Sequence, residues 1–368
     1  MRGMTLTALI VLLALLLGGC QDTGEVENQA YVLVLALDSI GDGDLALTVR
    51  VPKIGQRDVQ SDKDNPGNSP YLTFSVSAPS WSQALDALQW ATPRRINLSH
   101  IEMIVASEAL ASRSAFASLI NEMAETPHLY TNARFVICQG SARAFLEAGE
   151  TVIGARLSSE LHTMLSQYAQ QGFIPDACLA DACYCVNGIY GDPIAIWGNL
   201  ADAGSKIDES ISVTESPMRQ SFSGAALFRG GRFVRALSKR ETRLLNLIRG
   251  QCRTLTYPWR GGTVELPLLQ SSSAKARIEK GDLNLLLHLK LGVPASLAET
   301  DITALQRSIQ GDIVDLVGDC QRLGIDAFGF AESAASHFMS VSDWMDFDWR
   351  SRFTFASLDV EVTLSKHY

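Results

Sequence analysis

The sequence has no excess of positive charge. Across 368 residues, 31 lysines and arginines stand against 40 aspartates and glutamates, a formal net charge of −9. That balance excludes the basic footprint of a nucleic-acid binder, and with it attachment to anionic lipid through a polybasic surface. Catalytic signatures are missing too: there is no Gly-x-Ser-x-Gly elbow, Walker phosphate loop, Rossmann glycine fingerprint or His-Glu-x-x-His. The six histidines (His100, His128, His162, His288, His337 and His367) have no metal-ligand spacing and read as surface or core residues. No run beyond the N-terminus approaches the roughly 20 apolar residues that cross a bilayer core. The sequence therefore points to no cofactor, no metal and no enzyme activity.

What is present is a globular composition with a distinctive start. Hydrophobic residues make up 46% and charged residues 19%, enough for a packed core in a chain with room for two or three domains. Arg2 precedes an apolar run from Leu6 to Leu17, too short to span a membrane but suited to the core of a secretory signal. Leu17-Gly18-Gly19-Cys20 resembles a bacterial lipobox, in which the Cys20 thiol takes a diacylglyceryl group before cleavage. The bland alternative is an ordinary signal peptide with an incidental cysteine. Two acyl chains meet the requirement for stable anchoring. Loss of Arg2 with residues 1–19 leaves 30 basic and 40 acidic residues, a net −10.

Six cysteines follow Cys20. Cys138, Cys252 and Cys320 lie in or beside apolar runs and read as buried thiols. Cys178, Cys183 and Cys185 form a cluster open to three readings: disulfide, unpaired, or zinc lacking a fourth ligand at usual spacing.

Along the chain, Ala30–Asp38 is apolar on both faces, as a central strand is, and Asp42-Gly43 turns it into an alternating strand at 45–51. Residues 55–70 read as a polar surface loop. Strand and helix patterns then alternate: a strand at 72–76, a helix capped by Ser80, strands at 101–106 and 133–138, and helices around 116–123, 141–148 and 157–168. Periodicity fades from Cys178 to Pro217. The second half starts with a hairpin across Gly230-Gly231 and the capping box Ser238 to Glu241. Strand runs near 263–269 and 283–291 follow. A long helix carries Ile302 to Cys320 until Gly324 ends it, and a last strand runs around 353–364. The expectation is α+β or mixed α/β, with a largely antiparallel sheet in this half. Trp344 and Trp349 flank the acidic segment 343–348, as a docking surface or as aromatics closing the edge of the final sheet.

The order of these features resembles the Ger(x)C family of spore-germination lipoproteins, the C subunit of nutrient germinant receptors. The resemblance rests on Gly19-Cys20-Gln21-Asp22 leading to Glu25-Val26-Glu27-Asn28, then on Asn97-Leu98-Ser99-His100-Ile101 and Ser141-Ala142-Arg143-Ala144. It continues through Gly224-Ala225-Ala226-Leu227-Phe228 and Asp326-Ala327-Phe328-Gly329-Phe330, with Trp344 and Trp349 beyond. Gln21 stands where the family often has Trp, and the 178–185 cysteines are outside its pattern.

The resemblance implies a multidomain ectodomain of three mixed α/β domains, without enzyme activity, lipid-anchored through Cys20 on the outward face of the spore inner membrane. It implies two polytopic partner subunits (A and B type), and a small-molecule germinant bound by the complex rather than by this subunit alone. The expected division is a lipoprotein signal peptide at 1–19, an N-terminal α/β domain at 20–200, a boundary region at 201–217 and a C-terminal α+β domain at 218–368. Ser99, His100, Asp326, Gly329 and Trp344 are family-motif positions without an assigned role. The competing expectations are a lipid-anchored solute-binding protein with two similar lobes around a cleft, and an extracytoplasmic enzyme using scattered carboxylates.

Overall fold

Residues that alternate between two apolar faces need cover on both sides, and a sheet packed between helix layers supplies it. The computed structural model describes residues 28–41, 43–53, 71–148, 157–200, 206–208, 211–212, 220–279 and 281–367. The lipobox, the 55–70 stretch and most of 201–217 lie outside them.

The chain begins with β1 (Gln29–Tyr31), β2 (Val34–Ile40), β3 (Asp44–Pro52) and β4 (Tyr71–Ala78). Next come α1 (Trp81–Ala91), β5 (Arg95–Asn97), β6 (Met103–Ser107), α2 (Glu108–Ala111) and α3 (Phe116–Ala124). β7 (Arg134–Cys138), α4 (Ala142–Glu147), α5 (Leu157–Gln170), α6 (Leu179–Asn187) and β8 (Ile194–Leu200) follow. After a small pair, β9 (Lys206–Asp208) and β10 (Ile211–Ser212), come β11 (Gln220–Arg229) and β12 (Arg232–Ala236).

One eight-stranded sheet has the order β12-β11-β8-β7-β6-β2-β3-β4. Its centre, β8-β7-β6-β2, is parallel, and an antiparallel hairpin closes each edge. Leu35 and Leu37 face a core shared with Trp81 and Leu88 of α1, Phe116 and Ile120 of α3, and Leu179 of α6. Val34 and Ala36, one residue out of phase, face Phe145 of α4 and Leu165 of α5. Each fully buried side chain of this size contributes about 1.5–3 kcal/mol. A one-residue register slip would exchange both faces at once.

The sheet does not stop where the expected N-terminal domain does. β8 and β11 flank the expected boundary at 201–217, yet they pair antiparallel with Ala226 opposite Ala195. β11 is apolar on both faces. Ala226 and Phe228 join the first core, whereas Ala225 and Leu227 join that of the C-terminal half. Gly224 sits at the register shift of this strand with φ +136°, where a Cβ would lie 2.4 Å from the Leu237 carbonyl oxygen. Only glycine fits there.

The remainder comprises α7 (Lys239–Ile248), β13 (Thr254–Trp259), β14 (Gly262–Pro267), β15 (Ser273–Glu279), β16 (Asp282–Val293) and α8 (Glu299–Leu323). It ends with α9 (Phe330–Ala335), α10 (Val341–Asp346), α11 (Trp349–Phe355) and β17 (Ser357–Lys366). The Ser238–Glu241 capping box starts α7. Ile302, Leu305, Ile309, Ile313 and Leu316 of α8 pack on a sheet of order β15-β16-β17.

The 178–217 stretch, where periodicity fades in the sequence, holds α6 and β8. Two readings are corrected. The sheet of the second half is mixed, since β16 and β17 run parallel over ten residue pairs: the long return through α8–α11 brings the chain back in the same direction. Phe353 lies in α11, so the last strand starts at Ser357. The fold is multidomain mixed α/β.

Candidate functional site: an acidic clasp between the halves

Four separate stretches meet at two buried carboxylates, Asp192 and Asp326, 6% and 4% exposed. Asp326 follows α8, which Gly324 ends in the left-handed conformation at φ +66°. Its Oδ1 accepts from the amides of Phe328, Gly329 and Phe330 at 3.1, 3.2 and 3.4 Å, and its Oδ2 from Ala331 at 2.6 Å. These amides open α9 and have no intrahelical partner, so one side chain caps the helix start. Gly329 makes the bend possible, with φ +87°.

Asp192 lies in the Gly-Asp-Pro segment ahead of β8. Its Oδ2 accepts from the Asp326 amide at 3.2 Å, and its own amide donates to the Asp326 carbonyl, also at 3.2 Å. Its Oδ1 accepts from the Gly230 amide at 2.9 Å and from Arg350 Nη2 at 2.8 Å. Arg350, on α11, also donates to the Gly324 carbonyl at 3.0 Å. The clasp thus fastens the β11–β12 turn, the end of α8 and α11 to the first half of the chain. Burial pushes the Asp326 carboxyl up to about 6, against the pull of the Ala331, Phe328 and Phe330 amides.

Beside the clasp is a cavity of about 340 Å³ lined by Cys185, Gly188, Asp192, Asp326, Trp344, Trp349, Arg350 and Phe353 among others. Trp344 donates from its indole nitrogen to the Ile189 carbonyl at 3.0 Å and stacks on Trp349 at 5.7 Å. Trp349 Nε1 is buried with no hydrogen-bond partner. Both indoles are therefore buried rather than an exposed docking surface, in the core that includes Val360 and Val362 of β17. The chemistry on offer is fastening. Burial pushes the Cys185 thiol up to about 11, where the nucleophilic thiolate is scarce. The oxygens of Asp326 are already engaged by four amides.

Two family models match the chain. The spore germination protein N-terminal domain matches residues 22–196, and the spore germination B3/GerAC like C-terminal domain matches residues 223–365. The chain belongs to the GerAC family of spore germination proteins. A candidate spore germination protein of Bacillus subtilis (strain 168), YfkR, is 21% identical over 373 residues, covering 96% of this chain and 92% of its own. The crystal structure of the GerBC protein superposes with a TM-score of 0.49 at 13% identity, covering 91% of this chain and 97% of that one.

Of the GerAC motif positions singled out in the sequence, Asp326 and Trp344 line the cavity and Gly329 supplies one of the amides on Asp326. Ser99 and His100 do not line it. They form an exposed turn in which Asn97 Oδ1 accepts from the Ser99 amide at 2.9 Å and the Ser99 hydroxyl at 2.6 Å. The Ser99 hydroxyl also shares a 2.8 Å hydrogen bond with His100 Nδ1. The His100 ring meets Tyr31 edge-on at 4.8 Å. Ser141 caps α4, and Asp38 at the end of β2 accepts from the Ala142 and Arg143 amides, both at 2.8 Å.

Leu17, Gly18, Gly19 and Cys20 lie outside the described residues. The described cysteines are free thiols; Cys138, Cys252 and Cys320 are buried, while Cys178, Cys183 and Cys185 lie half-buried on or at the start of α6. No group of three metal-ligating side chains occurs among the described residues. Sequence reasoning missed Asp192 and Arg350. The only local signal for Asp192 is the Gly191-Asp192-Pro193 turn, and Arg350 carries none.

Proposed function

We propose that this chain is the lipid-anchored, non-enzymatic subunit of a nutrient germinant receptor, working beside two polytopic membrane subunits to trigger germination. The observation that carries the reading is the family match starting at residue 22, directly behind the lipobox that ends at Cys20. Residues 1–19 are then a cleaved leader, and diacylglyceryl-Cys20 holds the ectodomain on the extracytoplasmic face of the spore inner membrane. The domains run 20–200 and 218–368, with 201–217 as the region between them.

An anchor raises the effective concentration of the ectodomain near membrane partners. The clasp suits such a role, because it makes a force on either half felt by the other. Met339, Val341, Met345 and Phe355, exposed on and beside the helices that frame the cavity, are the sort of apolar side chains that a partner subunit covers. The germinant is then bound by the assembled complex. A hinged solute-binding protein fits less well, since β8 and β11 run through one continuous sheet where a hinge between lobes would be needed.

The test is genetic. Deleting the gene, or replacing Cys20 with Ala, removes the response of dormant spores to at least one nutrient. Normal germination with every nutrient, in a strain without sister receptors, overturns the reading.

A further inference from the structure

The first described residues enter the fold at one small surface. β1 runs parallel to β5, with Gln29 opposite Arg95. In a parallel pair both strands start at the same end, so the chain arrives beside Arg95. Just upstream, at the C-terminal end of α1, Trp90 is 92% exposed, the most solvated large aromatic among the described residues. The segment between them is held firmly. Gln89 Nε2 donates to the Arg94 carbonyl at 2.9 Å and Gln89 Oε1 accepts from the Ile96 amide at 3.0 Å. The Thr92 hydroxyl donates to the Leu88 carbonyl at 2.7 Å. Among the described residues no carboxylate forms an ion pair with Arg94 or Arg95.

Seven residues lie between Cys20 and Asn28, and the eight residue steps from one to the other, fully extended, reach at most about 29 Å. A thiol fixed at a membrane therefore holds Asn28 near the lipid, and with it the β1–β5 edge where Gln29 faces Arg95 and where Gln89 ties the end of α1 to the residues leading into β5.

We propose that Trp90, Arg94 and Arg95 form a lipid-facing surface that seats the anchored protein on an anionic bilayer. This rests on the lipid-anchored reading above. Trp90 is an amphipathic ring suited to headgroup depth, and Arg94 and Arg95 offer cations to phosphate on a body whose net charge otherwise opposes anionic lipid. The tether chooses the face, and the surface sets the tilt at which the ectodomain stands over its membrane partners.

The test uses the full lipidated chain in vesicles of equal parts phosphatidylglycerol and phosphatidylcholine, with plain or brominated acyl chains. Emission of wild type less that of Trp90→Ala isolates Trp90 from the other five tryptophans. Its emission is lost in brominated vesicles, and recovers in the Arg94→Gln/Arg95→Gln variant or when phosphatidylcholine replaces phosphatidylglycerol. The unfolding midpoint of Trp90→Ala stays at that of wild type, because so exposed a side chain supports no core. Mass spectrometry of the N-terminal peptide separates the two claims. An acylated Cys20 with Trp90 emission equal in both vesicles overturns the surface and leaves the anchor standing. A bare Cys20 overturns the anchor, and the surface with it.

Discussion

The Asn97 turn and the Asp326 turn use one local device, an Asx side chain accepting backbone amides that lie ahead of it, in opposite surroundings. Asn97 does so at the surface, where water can replace each hydrogen bond. Asp326 does so in the interior, where four amides would otherwise be orphaned, and it fixes the turn whose backbone amide and carbonyl meet Asp192. Burial, rather than the motif, decides what each turn is worth. The first is a local fold of a loop, and the second is a fastener of the whole molecule.

Replacing Asp326 with Ala makes the largest break. It leaves buried amides without partners and costs about 3–5 kcal/mol, read as a fall in the denaturant midpoint or as loss of folded protein. A variant as stable as wild type contradicts the buried-clasp account.

The next effect is in pH. Folding raises the Asp326 carboxyl from the ordinary 3.8 to about 6, so the folded state holds this proton more tightly than the unfolded one. The resulting stability is fully present below pH 3.8 and is lost as pH rises through 6. Asn at this position cannot titrate. The stability of wild type minus that of Asp326→Asn therefore grows as pH falls from 6 toward 4, by about 3 kcal/mol at most. Urea titrations of both proteins across that range check it, and a flat difference removes the assigned titration.

Gly329→Ala forces a β-carbon into φ +87° and costs about 1–2 kcal/mol, measured by thermal unfolding. Asn97→Ala is the mildest, at about 1 kcal/mol or less. The ratio of the Asp326→Ala loss to the Asn97→Ala loss is the sharpest form of the comparison, and similar losses would erase it.

The elements that sequence reveals are those whose side-chain pattern is set within the element itself. α8 was visible because Ile302 to Cys320 repeat at threes and fours, and β2 because Leu35, Ala36 and Leu37 are apolar without alternation. α7 declared its start through Ser238 and Glu241. β13 and β15 did not declare themselves: Pro258 interrupts one, and Lys275, Arg277 and Glu279 face outward along the other. β11 reads as a hairpin strand, but nothing local in it says that it also continues a sheet begun in the other half. The clasp was half legible in the same way. Asp326, Gly329 and Trp344 stand out through the family resemblance, whereas Arg350 meets Asp192 across 158 residues of chain, a pairing that only the fold creates.

The most direct test of the central claim is to solubilise spore inner membranes in mild detergent, isolate this chain by an affinity tag at Tyr368, and identify what comes with it. The account predicts two multi-spanning membrane proteins in constant proportion to the chain, and an N-terminal peptide carrying acyl groups on Cys20. A chain recovered alone from the soluble fraction with an unmodified Cys20 would contradict it.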